Sequence, residues 1–129
     1  MPSAIVQLSL LIDDYDSAIE YFTTVMRFEL LEDRAMGPDK RWVVVAPPGG
    51  QGARLLLARA SDEAQRQHIG NQTGGRVFLF LETEDFESDY QHLLAHGTRF
   101  TEAPRDEAYG RVVVFIDRYG NKWDLIQRR

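Results

Sequence analysis

The sequence predicts an α+β protein built from two tandem βαβββ modules. Three observations carry this. Branched apolar segments of strand length alternate with two segments of helical spacing, in the order strand, helix, three strands, twice over. The two halves are in register: Asp14-Tyr15-Asp16-Ser17 matches Asp85-Phe86-Glu87-Ser88 at a shift of 71 residues, and Arg41 to Val45 matches Arg111 to Phe115 at a shift of 70. Between the halves lies Gly70 to Gly75 (GNQTGG), a flexible linker.

The elements follow in order. Ala4 to Ile12 (AIVQLSLLI) reads as the first strand. Asp13-Asp14 offers a helix N-cap with Asp16 in the first turn, where the helix dipole favours anions. Tyr15, Ala18, Ile19, Phe22, Val25 and Met26 follow at helical spacing. Strands are expected over Phe28 to Arg34, Arg41 to Ala46 and Arg54 to Arg59, with a turn at Ala35 to Lys40 and a stop at Pro47-Pro48-Gly49-Gly50. Ser61 is expected to cap a short polar helix reaching His68. The second half repeats the order: a strand over Arg76 to Glu82, then a helix capped by Asp85. Phe86, Tyr90, Leu93 and Leu94 are expected on one face of that helix, and Gly97 ends it as a left-handed stop. Short strands follow at Thr98 to Thr101 and Arg111 to Ile116, and Tyr119-Gly120-Asn121 turns the chain into a last strand, Lys122 to Gln127. The expected organisation is a single domain of residues 1–129, with modules over 1–60 and 75–129 and a linker carrying the short helix over 61–74.

Bulk properties exclude several functions. Of 129 residues, 43% are hydrophobic and 27% charged, enough for a core of ordinary size. The net charge is −5 and no cluster of Lys and Arg is available to neutralise phosphates, so no nucleic-acid partner is expected. There is no cysteine, hence no disulfide, thiolate nucleophile or Cys-based zinc site. Met1 to Ser9 lacks the marks of a signal peptide and no apolar run is long enough to span a bilayer. A cytoplasmic protein without a membrane partner is expected.

Two segments carry a family resemblance. They are Leu10-Leu11-Ile12-Asp13-Asp14-Tyr15 with Ala18-Ile19-Glu20-Tyr21-Phe22, and Asp117-Arg118-Tyr119-Gly120-Asn121-Lys122-Trp123-Asp124-Leu125-Ile126. The first resembles the opening strand and helix of the vicinal oxygen chelate family, the glyoxalase/bleomycin-resistance/dioxygenase group. The second resembles its closing turn and final strand, with Arg118 where that family usually has proline. The resemblance spans essentially the whole chain. It implies curved mixed sheets that enclose a cleft for a small ligand, and it implies frequent homodimers.

In metal-dependent members of that family, ligands come from the first and last strand of each module. Counting from the helix caps and the closing turn places those positions at Gln7, Leu56, Phe78 and Asp124. Leu56 and Phe78 cannot coordinate an ion, and Leu55, Leu57, Val77 and Leu79 beside them are no better. No metal and no cofactor are therefore expected in the cleft. His92 and His96 have the i, i+4 spacing that can bind zinc, but their helix face is expected to be solvent, as is His68.

Strand alternation then names the cleft wall: Gln7, Ser9, Leu56, Phe78, Phe80 and Asp124, with Trp42 as a further stacking candidate whose face alternation leaves open. Desolvation beside Phe78 and Leu56 would raise the Asp124 pKa and suit it to a ligand cation or to general-base work, though a structural bond to Gln7 or Lys122 is the competing role. Arg41 and Arg111 begin equivalent strands, where charges commonly guard exposed strand ends. Two functions stay open: a protein that binds a small organic molecule in a metal-free cleft, or a lyase or isomerase of the same family acting through Asp124 or an atypical metal set. Beside these two stands a weaker reading, a structural or regulatory module whose vestigial pocket is empty.

Overall fold

The computed structural model describes all residues from Met1 to Arg129. The chain divides into two compact units, Met1–Ile69 and Gly70–Arg129, each with its own mixed sheet.

The first unit runs β1 (Gln7–Ile12), α1 (Tyr15–Glu20), a π-helical turn (Tyr21–Val25), β2 (Glu29–Gly37), β3 (Lys40–Ala46), β4 (Arg54–Arg59) and α2 (Glu63–Gln67). Its sheet order is β1-β4-β3-β2, with β1 and β4 parallel and the other pairs antiparallel. Asp14 caps α1 by accepting from the Ser17 N–H at 2.9 Å. The first helix ends in a π turn, after which Arg27 takes the left-handed conformation (φ 59°) and the Phe28 N–H reaches back to the Phe22 carbonyl at 2.8 Å. Leu10, Ile12, Val43, Val45, Leu55 and Leu57 are buried with Ala18 and Phe22 of the helical segment.

Three boundaries differ from expectation. β1 begins at Gln7, because Ile5 and Val6 stand exposed. β2 continues to Gly37, since residues 35 and 37 still pair with Arg41 and Lys40, and this confines the turn to Pro38-Asp39. Asp62, not Ser61, caps α2. The Asp62 carboxylate accepts from the Gln65 N–H at 2.8 Å, while the Ser61 N–H and hydroxyl both donate to the Gln65 side chain from outside the helix.

The second unit runs β5 (Val77–Glu82), α3 (Phe86–Ala95), β6 (Arg99–Phe100), β7 (Arg105–Glu107), β8 (Gly110–Ile116) and β9 (Lys122–Arg128). Its sheet order is β5-β9-β8-β6, with β7 also pairing with β8. Asp85 caps α3 through the Ser88 N–H at 3.1 Å, and Gly97 (φ 75°) ends it. Beneath α3 an aromatic chain runs from Phe86 through Tyr90, Phe100 and Phe115 to Trp123, with successive ring centroids 4.9–6.3 Å apart. Leu94, expected on the apolar face of α3, is instead 42% exposed.

Asp117 anchors the closing turn. It is 2% exposed. Its Oδ1 accepts the N–H groups of Tyr119, Gly120 and Asn121, and its Oδ2 accepts Asn121 Nδ2 and Trp123 Nε1, all at 2.9–3.0 Å. Gly70 passes so close to this turn, at φ 77°, that any Cβ there would collide with the Tyr119 carbonyl oxygen.

Candidate functional site

In each unit the helix covers one sheet face, and alternation assigns the other face to a separate set of residues. In the first unit, Ser9, Leu56, Val44 and Glu32 form one cross-strand row on that second face. Gln7 lies two residues before Ser9 and shares its side of β1, and both point away from the buried Leu10 and Ile12. Trp42 is two residues from Val44 and pairs with Arg34, so it belongs to this face as well. Its Nε1–H donates to Glu32 at 3.4 Å and the Arg34 guanidinium stands 6.0 Å from its ring centroid.

In the second unit the corresponding row is Phe80, Asp124 and Val114. Val44 pairs with Leu56 and Val114 pairs with Asp124, so Leu56 and Asp124 hold equivalent ladder positions. Phe80 is 70% exposed on an edge strand. Phe78 behaves differently. The β5–β9 register slips by one residue between Val77 and Leu79, which leaves Phe78 without a ladder partner, half-buried at a bulge. Alternation counted from Phe80 therefore does not carry across to Phe78.

Asp124 Oδ1 is buried and has no hydrogen-bond partner. Desolvation raises its carboxyl pKa above the ordinary value. The Arg105 charge opposes this shift and that of Glu102 adds to it. The expected Lys122 partner is engaged elsewhere, because its Nζ donates to the Gly75 carbonyl at 3.1 Å. Arg105 in turn is held by Glu102 and by Glu107, the latter at 2.7 Å, and these two carboxylates raise the pKa of the exposed guanidinium, Glu102 most. The neighbourhood thus holds three carboxylates and one guanidinium. Glu102, Arg105 and Glu107 escaped the sequence reading because residues 102–107 are polar and show no apolar alternation. Their only trace was the repeat, in which Glu32-Asp33-Arg34 precedes Arg41 much as this stretch precedes Arg111.

Both repeated arginines turn out to be braces. The Arg41 guanidinium forks onto Asp33 at 2.8 and 3.1 Å, reaches Asp16 at 2.9 Å and lies 5.2 Å from the Tyr15 ring centroid. Bonds to Asp33 and Asp16 raise its pKa. Arg111 repeats this on Asp106 and, at 5.3 Å, on the Phe86 ring. Each tethers the first residue of a helix to its sheet.

The metal-ligand positions do not fit an ion. Two of the four are Leu56 and Phe78, and nowhere in the chain do three His, Cys, Asp or Glu residues converge in a way that could hold one.

A sequence profile of the Glyoxalase/Bleomycin resistance protein/Dioxygenase superfamily matches residues 4–125. The chain belongs to this superfamily. An uncharacterized protein of Shewanella frigidimarina is 51% identical over 128 residues, covering 98% of this chain and 95% of its own. Among solved structures, a member of the superfamily from Sphaerobacter thermophilus aligns with a TM-score of 0.80 at 25% identity, covering 98% of both chains. TnmS3, an antibiotic binding protein from Streptomyces sp. CB03234, aligns with a TM-score of 0.78 at 26% identity, covering 99% of this chain and 98% of its own. The two mixed sheets and few helices make the chain α+β in the superfamily's manner. No helix is long and apolar enough to cross a membrane.

Proposed function

We propose that this chain binds a small organic molecule without a metal ion, and that the ligand joins an apolar or aromatic body to a basic nitrogen. The observation that carries the reading is Asp124, whose buried Oδ1 has no partner within the protein. A buried carboxylate oxygen left unpaired costs free energy, and a ligand N–H would remove that cost. Phe80 stands next to it on the same face with its ring largely open, which suits stacking on a planar group. Val114 adds apolar surface in the same row. On the first unit, Gln7, Ser9, Leu56 and Trp42 share one sheet face of mixed polar and apolar composition. The likeness to an antibiotic binding protein supports sequestration. We further propose a cytoplasmic homodimer, in which a second copy covers exposed apolar groups such as Leu30, Leu31 and Met36.

The test is a binding screen of aromatic amines against their neutral and anionic isosteres, by thermal shift and calorimetry. Cationic members should stabilise the wild type, and Asp124→Asn should weaken them by about 10- to 100-fold, the worth of one charge-assisted hydrogen bond. If no ligand class stabilises the wild type, or if Asp124→Asn binds equally well, the proposal fails.

The raised Asp124 pKa favours one alternative, a lyase or isomerase that uses this carboxylate as general base. Turnover lost in Asp124→Asn with binding retained would select it.

A further inference from the structure

The geometry points to a second, unrelated site: a surface transition-metal site formed by His92 and His96 at the carboxyl end of α3. It lies on the helix side of the second sheet, whereas Asp124 belongs to the opposite face.

Two histidines four residues apart share one helix face, the spacing at which two imidazoles can grip one ion. The structure adds three facts that the spacing alone does not contain. The rings already stand together, with centroids 4.2 Å apart and planes inclined by 40°. His96 Nδ1 lies 2.9 Å from the His92 carbonyl oxygen. A carbonyl only accepts, so Nδ1 donates in this contact, and in the neutral imidazole Nε2 is then the nitrogen with the lone pair that a metal needs. A ring N–H bonded to a backbone carbonyl is also the usual way a metal-binding histidine is oriented. Finally, the site sits where α3 ends, with the Leu93 and Leu94 carbonyls close by in the terminal bonds. A cation there meets the negative end of the helix dipole.

Two imidazoles leave the remaining coordination positions to water, because no third His, Cys, Asp or Glu converges on them. The site therefore takes borderline ions that favour imidazole, namely Cu(II), Ni(II) and Zn(II), in preference to Mg(II) or Ca(II). It holds them exchangeably.

The experiment uses the full chain without an affinity tag. Nickel-charged chelating resin should retain the wild type, and either His92→Ala or His96→Ala should abolish retention while His68→Ala leaves it intact. Zn(II) chloride should raise the melting temperature of the wild type, and this shift should vanish in both single variants. In NMR spectra, Ni(II) should broaden the ring signals of His92 and His96 together and spare those of His68. His96 is exposed and His92 only partly buried, so far-ultraviolet dichroism of the variants should match the wild type. The proposal is overturned if the wild type elutes with the His92→Ala and His96→Ala variants, or if His68 broadens equally. It is also overturned if the bound ion disappears only in Asp124→Asn, a result that would at the same time count against metal-free binding on the other face.

Discussion

Replacing Asp124 by asparagine should make the protein more stable at neutral pH. Ordinarily, removing a half-buried polar group that serves the fold costs stability. Here Oδ1 is buried without a partner, and no lysine compensates, because Lys122 is bonded to Gly75. Leaving one buried polar group unsatisfied costs about 1–3 kcal/mol, more when the group is charged. The amide remains polar but sheds the charge, so a gain of about 1 kcal/mol is expected, or roughly 3–5 °C in melting temperature for a chain of this size. The pH dependence has a definite sign. The carboxyl pKa is raised in the folded state, chiefly by desolvation. Below its unfolded value both states hold the proton and nothing is lost. As pH climbs through the raised native value, the folded protein must ionise an unfavourably placed group, and stability falls. The advantage of Asp124→Asn should therefore be largest near pH 7 and fade as pH drops through and below the native pKa. Differential scanning calorimetry of both proteins from pH 3 to pH 8 measures it, and Glu102, Glu107 and Arg105 cancel to first order because both proteins carry them. If Asp124→Asn is destabilised by more than 1 kcal/mol at pH 7, Asp124 is a structural residue and the functional reading collapses.

Asp117→Ala should do the opposite, unfolding the protein earlier by about 3–5 kcal/mol, because it strands five donors that the carboxylate now satisfies. Urea denaturation followed by Trp123 fluorescence would show it, and a loss under 1 kcal/mol would mean that water replaces the carboxylate freely. Arg27→Gly should gain about 0.5–1 kcal/mol, since Arg27 holds a left-handed conformation (φ 59°) that favours glycine. A fall in melting temperature would show that the arginine side chain contributes more than the backbone strain costs.

What was legible in the sequence was whatever depends on neighbours along the chain. Asp14 and Asp85 cap their helices because a short carboxylate three residues before an orphan N–H needs no tertiary context. Gly97 stops α3 for a similar reason. The cap of α2 was misplaced by one residue because Ser61 and Asp62 are both good caps, and only the Gln65 side chain, turned back onto Ser61, separates their roles. β7 was invisible because Arg105-Asp106-Glu107 has no apolar period; it exists because β8 offers it an antiparallel edge. The Phe78 bulge was equally hidden, since a register slip is a property of two strands together. In the candidate site, the positions of Gln7, Leu56 and Asp124 followed from counting, whereas their partners did not. Arg41 reaches Asp16 across 25 residues of chain, and Lys122 chooses Gly75 across 47, and no local pattern encodes either choice.

The duplication supplies its own control for the meaning of Asp124. Both units place a row across the sheet at the same ladder position: Ser9, Leu56 and Val44 in one, Phe80, Asp124 and Val114 in the other. In the first unit leucine fills the central place, so this architecture has no need of a charge there. In the second unit the same place holds a carboxylate with a buried, unpartnered oxygen. Seven residues earlier Asp117 shows how this chain treats a carboxylate on which the fold depends: it is enclosed and given five donors. Asp124 receives none of that support. In the proposed function this unpartnered oxygen would take the ligand's N–H, and the exposed Phe80 ring beside it would supply the apolar surface on which the ligand rests.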